Sequence, residues 1–293
     1  MTTFKESLLI LLFELLGTLL LTALFNSAFQ GYDLGSISAL YNIGVSNFTG
    51  LLCGFFVLLI FSARISGSHF NPAITLAFMF RRDTGRFSRL LGLLYIAAQY
   101  GGAILGAIIS YNLFQANNRQ PLTVRDNLEG DTLLVQAMVQ EMIGAMLITF
   151  LYLTQTEKDT KMSEDPAITT LIIAATYVAV VGYSEFSGVM TGSPFNPAAA
   201  LGLFWAILFQ SNIDETKHIW VFFLFSYAGS LLAVLLFECV YKKAMRASNQ
   251  THESDASSDD DGHHRQENQG LLMNQVDQQP GDNKYGDTTN TAY

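Results

Sequence analysis

Apolar side chains along this chain gather into long unbroken runs, not into the alternation of surface strands or the single stripe of surface helices. Runs of roughly 20 residues fall at about 7–29, 44–63, 90–111, 132–154, 168–187 and 218–241. An α-helix rises about 1.5 Å per residue and the hydrocarbon core of a bilayer is about 30 Å thick, so each run predicts a membrane-spanning helix. The first is too long for a signal-peptide core and no small-residue cleavage site follows it, so it reads as a retained span. Two shorter apolar segments, 71–80 and 196–209, each follow a Gly-containing loop. About ten helical residues reach roughly 15 Å, half the core, which predicts segments that enter the membrane without crossing it.

The pattern repeats. Glu14-Leu15-Leu16-Gly17 precedes Ser66-Gly67-Ser68-His69-Phe70-Asn71-Pro72-Ala73, and Glu141-Met142-Ile143-Gly144 precedes Thr191-Gly192-Ser193-Pro194-Phe195-Asn196-Pro197-Ala198. The offset is 127 between the Glu residues and 125 between the Asn residues. Each repeat, about 7–111 and 132–241, holds three spans and one half-span. An odd number of crossings turns the second repeat upside down, and inverted repeats place a site at the midplane on their broken helices. The fold expected is all-α: six transmembrane helices plus two re-entrant half-helices, occupying residues 1–246.

Composition sharpens this picture. Half of the 293 residues are hydrophobic and only 14% are charged, against about a quarter in ordinary soluble domains. The net charge of −9 comes largely from residues 247–293, which include Asp259, Asp260 and Asp261. That segment is too polar to form a core and is read as a disordered acidic tail. Charge of this origin gives no indication of nucleic-acid binding. Cys53 and Cys239 lie in apolar runs and form neither a disulfide framework nor a metal spacing. No nucleophile–base pair or phosphate loop suggests an enzyme, and no cofactor is expected. With six spans both termini share one side, which collects Lys5, Arg64, Arg81, Arg82, Arg86, Arg89, Lys158, Lys161, Lys242, Lys243 and Arg246. The other side has Arg119, Arg125 and Lys217. The positive-inside rule makes the termini cytoplasmic.

Asn-Pro at a helix start has a local logic. Asn caps free N–H groups, and Pro at the first helical position forfeits no hydrogen bond. One such pair is ordinary turn punctuation, but two at equivalent points of an inverted repeat predict half-helices meeting end to end. Each N-terminus carries roughly half a positive charge. The amides of Asn71 and Asn196 are then donors to an oxygen in the lumen, and the positive centre opposes cations and interrupts a proton wire. Aquaporin selectivity is a standing example of this physics.

These residues resemble the aquaporin or major intrinsic protein family. The likeness rests on the boxes Asn71-Pro72-Ala73 and Asn196-Pro197-Ala198, on Ser66-Gly67 and His69 before the first, and on Thr191-Gly192 before the second. It runs from about Ser7 to Tyr241. It implies a homotetramer in the lipid bilayer with one pore per subunit, passing water and small neutral solutes. Glu14, Glu141 and Gln99 match the family's buried polar residues. With His69 they are expected to support the half-helix loops, each Glu accepting backbone N–H bonds. Gly102 and Gly106 are spaced for close helix packing.

The chain also departs from the family. Ala199 follows the second box where most members have Arg. The other constriction positions correspond to Leu51, Ser193 and either Tyr183 or Ser184, which implies a wider, less polar opening. Against this, Ala199-Ala200-Leu201 lacks the Asp of glycerol-conducting members, and Phe222-Phe223 resembles the aromatic pair of water-type members. Water is therefore the expected permeant. The alternatives are a glycerol, urea or peroxide facilitator, and a closed member with a structural or regulatory role. The loop Thr154–Ala167, with Ser163, is a candidate gate, and Ser254, Ser257 and Ser258 are candidate phosphorylation sites. Asn47 heads a glycosylation sequon close to the second span. The plasma membrane and an internal vacuole membrane are both compatible with the chain.

Overall fold

Long uninterrupted apolar stretches can satisfy their backbone groups in lipid only within helices or closed barrels, and here they do so as helices. The computed structural model describes residues 4–28, 37–82, 87–114, 131–187, 193–208 and 218–248. In chain order these form α1 (Phe4–Ala28), α2 (Ile37–Ser62), α3 (Pro72–Phe80), α4 (Arg89–Phe114), α5 (Asp131–Thr156), α6 (Pro166–Ser187), α7 (Pro197–Leu208) and α8 (Ile219–Leu236). A π-helical turn, Phe237–Tyr241, follows α8. Five of the helices (α1, α4, α5, α6 and α8) are long and apolar enough to cross a membrane. Helix α2 runs for 26 residues and begins at Ile37, several residues before the apolar run that signals it. The half-helices α3 and α7 have 9 and 12 residues.

Sidedness is inverted relative to a soluble protein. Leu8, Leu12, Leu16 and Leu20 on α1, and Val135, Val139, Ile143 and Leu147 on α5, face outward, whereas Glu14, Gln99 and Glu141 are fully buried. Cys53 and Cys239 are also exposed. Helix α1 packs on α4 and α5 on α8, and glycine makes both contacts close. A β-carbon at Gly102 would overlap the Leu15 carbonyl oxygen, and one at Gly229 would overlap that of Met142. Both the glycines and the carbonyls are related by the offset of 127 seen between Glu14 and Glu141. Gly106 makes the same kind of approach to Leu19. The two repeats also touch through an equivalent pair: the Tyr100 and Tyr227 hydroxyls lie 2.8 Å apart. Met1–Lys243 is one compact unit. In the second, Ala244–Tyr293, residues 244–248 are described and helical.

Candidate functional site: the half-helix junction

Each half-helix begins as its sequence dictates. Asn71 is extended (φ −148°, ψ 116°), and its Oδ1 accepts from Ala73 N at 2.9 Å with Pro72 in the first turn. Asn196 Oδ1 accepts from Ala198 N at 3.0 Å and from Ala199 N at 3.4 Å. The amide nitrogens then cross between the repeats. Asn71 Nδ2 donates to Phe195 O at 3.0 Å, and Asn196 Nδ2 donates to Phe70 O at 2.8 Å. An amide NH2 has two donors, so each Asn has a second N–H beyond this crossed bond. Phe70 and Phe195 take positive φ, 47° and 46°, a region side-chain-bearing residues seldom occupy. That backbone turns their carbonyls toward the opposing Asn. Their rings lie against Gly17 and Gly144, where a β-carbon would collide with them.

Buried polar groups hold the first loop. Glu14 accepts from His69 N at 3.0 Å through Oε1, and from Phe70 N at 2.9 Å and Gln99 Nε2 at 2.8 Å through Oε2. Gln99 Nε2 also donates to Thr75 Oγ1 at 2.9 Å, and Thr75 Oγ1 lies 3.1 Å from His69 Nδ1. Glu14, Gln99 and His69 thus form one network around the first box. In the second repeat, among the described residues, Glu141 accepts from hydroxyls: Ser193 Oγ and Ser226 Oγ both donate to it. Ser226 stands 127 positions after Gln99 and performs its role with a shorter side chain. The hydroxyl of Ser193 is therefore engaged by Glu141 in the wall.

Space along this junction is uneven. A vestibule of about 300 Å³ lies on the side of the 154–167 loop, bounded by Leu59, His69, Tyr152, Gln155, Thr156 and Thr170 among others. Between the boxes is a cavity of about 10 Å³, lined by Asn71, Asn196, His69, Tyr177, Phe55 and Ile173 with neighbouring aliphatic residues. A volume of that order holds about one water. Leu51, Ser184, Ser193 and Ala199 are all fully buried. Tyr183 is not. It is 72% exposed and stands beside the outward stripe of α5. Of the two α6 residues open at sequence level, Ser184 is the one turned inward, because α6 buries Ile173, Tyr177, Val181 and Ser184 at helical spacing. Thr191, Gly192, Ser254, Ser257 and Ser258 and the side chain of Asn47 lie outside the described residues; the Asn47 backbone is within α2.

Two features escaped the sequence reading. Arg81, at the C-terminal cap of α3, pairs with Glu157 and stacks 5.2 Å from Phe78 and 5.7 Å from Phe237. Lys242 Nζ is 3.1 Å from the same Glu157, and Glu238 completes the cluster. An acid at Glu238 inside an apolar helix was the available signal. The loop nearby is ordered: Thr160 Oγ1 donates to Thr154 O at 2.9 Å, Ser163 Oγ accepts from Asp165 N, and Asp165 caps α6 by accepting from Ala167 N at 2.8 Å. Tyrosine is the second feature. Tyr152 donates to Gly67 O, Tyr95 to Ser66 O and Tyr177 to Pro194 O, so the loops before both boxes are held by phenols.

Two half-helices meeting at capped N-termini inside a bundle of spanning helices define an integral, multi-pass membrane protein with a re-entrant pore-type core. The chain belongs to the major intrinsic protein family, whose model matches residues 4–237. It is 33% identical to human aquaporin-5 over 174 residues, 59% of this chain and 60% of that protein. It is 25% identical to rice aquaporin PIP2-4 over 215 residues, 72% of each. The match to the human relative thus spans somewhat less than two thirds of that protein's length. Among solved structures it resembles the aquaglyceroporin of Plasmodium falciparum, with a TM-score of 0.67 and 19% identity, over 82% of this chain and 99% of that one. At that identity the likeness speaks for the fold alone.

Proposed function

We propose that this protein is a passive membrane channel for water, with small neutral solutes as secondary permeants, and that it excludes protons and cations at the paired boxes. The observation that carries this reading is the crossed pair Asn71–Phe195 and Asn196–Phe70, set where two half-helix N-termini converge on one cavity. Donors fixed there orient a water oxygen, and two positive helix ends oppose a cation. The aquaporin names of the relatives support water as the permeant. Homotetrameric assembly, cytoplasmic termini and residence in the plasma membrane or a vacuole membrane belong to the same proposal. The basic side chains near the 154–167 loop support that orientation. The small midplane cavity favours one second reading, a channel whose resting state conducts poorly.

The test is stopped-flow shrinkage of proteoliposomes holding the full chain. Wild type should pass water above empty liposomes without dissipating a pH gradient. The double change Asn71→Asp, Asn196→Asp replaces both donors by acceptors, so it should cut water flux and raise cation leak. Unchanged water flux in that variant, with normal incorporation, would remove the pore assignment.

A further inference from the structure

The family resemblance puts the expected selectivity at an outer constriction, where Ala199 stands in for Arg. The packing directs attention deeper. Tyr177 lines the same small cavity as Asn71 and Asn196. Ile173, one helical turn earlier on α6, borders both this cavity and the vestibule. Tyr177 therefore stands on the far side of the cavity from the vestibule. Its ring centroid is 4.7 Å from that of Phe55 and 6.5 Å, edge-on, from that of Phe25. All three rings are at most 5% exposed. On α2 the order agrees: Leu59 borders the vestibule, Phe55 the cavity, and Leu51 lies a turn farther out. The Tyr177 hydroxyl donates to Pro194 O at 2.7 Å, the carbonyl one residue before the one that receives the Asn71 amide.

We propose that Tyr177 is the residue that sets the size limit of this pore, its ring closing the cavity beside the paired Asn side chains while its hydroxyl occupies the Pro194 carbonyl. The inference rests on the channel reading above and relocates its filter. A permeant that reaches the Asn pair meets an aromatic wall on the side opposite the vestibule. The loop acceptor it would use already receives the phenol on one of its two lone pairs. A single water can exchange for the phenol at that carbonyl, because one hydroxyl replaces another. A carbon-bearing solute needs the volume of the ring as well. Selection for water over glycerol or urea then follows from Tyr177 with Phe55, whatever stands at Ala199.

Four forms of the full chain separate the possibilities: wild type, Tyr177→Val, Tyr177→Phe and Phe55→Leu, each reconstituted and assayed for water, urea and glycerol permeability per protein incorporated. Tyr177→Val should raise the glycerol-to-water ratio by about tenfold or more, since pore width governs which neutral solutes pass. Tyr177→Phe keeps the ring and frees the carbonyl, so it should leave that ratio near the wild-type value while altering water flux. Phe55→Leu retains the hydrogen bond and loosens the ring cluster, and it should raise the ratio by a smaller factor. It also supplies the answer should Tyr177→Val fail to fold. Ratios unmoved in both Tyr177→Val and Phe55→Leu, with water flux intact, would overturn the proposal and leave the channel standing. Folded wild type and variants that all match empty liposomes would overturn both.

Discussion

Replacing each buried glutamate by glutamine should separate the two repeats, although the residues occupy equivalent positions. Glu14 uses both oxygens as acceptors for backbone donors that cannot turn, His69 N on one and Phe70 N on the other, where Gln99 Nε2 also donates. In Glu14→Gln one oxygen becomes an NH2 group. Its best orientation keeps the Phe70 and Gln99 bonds and sets a donor against His69 N, which cannot rotate away. A buried donor left without an acceptor costs about 1–3 kcal/mol. Glu141, among the described residues, accepts from two hydroxyls, Ser193 and Ser226. A hydroxyl can donate or accept, so in Glu141→Gln one serine donates to the remaining oxygen and the other turns to accept from the new amide. Only the charge-assisted strength of the bonds is lost, about 1 kcal/mol or less. At about 2–4 °C per kcal/mol for a domain of this size, Glu14→Gln should melt lower than wild type by several degrees, and Glu141→Gln by about half as much or less. Scanning fluorimetry of the purified proteins in detergent measures this. Equal shifts, or a larger one for Glu141→Gln, would refute the argument from donor rigidity.

Gly229→Ala places a methyl group on the Met142 carbonyl and must part α5 from α8, so it should cost about 1–3 kcal/mol, seen as a lower melting temperature, whereas Gly101→Ala, with open space around it, should not. Mercurials should leave wild-type water flux unchanged, because Cys53 and Cys239 are both exposed and Cys53 is two residues from the buried Leu51; strong block would mean that one of them reaches the lumen.

The half-spans were legible because the signal is doubled: an Asn-Pro start, a Gly-containing loop and an upstream glutamate each occur twice at nearly constant spacing. Glu14 was marked by its repetition as Glu141, whereas Gln99 and His69 were assigned to loop support through the family resemblance. The partners of Glu141 could not, because Ser226 is short and serine is common in apolar helices, so nothing marks it as the counterpart of Gln99. Positive φ at Phe70 and Phe195 left no trace either. Glycine or asparagine would announce such a backbone, whereas phenylalanine is held there by packing on Gly17 and Gly144. The choice between Tyr183 and Ser184 depended on helical phase, which one residue of uncertainty in a loop removes and the burial of Val181 restores. Tyr177 was hidden for a plainer reason: an aromatic residue in an apolar run looks like any other core side chain.

The crossed amide bonds also have a consequence for how the chain is made. Asn71 can reach its acceptor only after Phe195 exists, and Phe70 receives its donor only from Asn196. Synthesis at about 5–20 residues per second puts roughly 6–25 s between the emergence of the two boxes. Until then the first box has the partners for its own cap but lacks its opposing contact. Glu14, Gln99 and Thr75 belong to the first repeat and are already present. They are the groups able to keep the nascent loop in register until the second half arrives, and their position on the early side of the chain is what lets the junction close on a template instead of assembling from two loose ends.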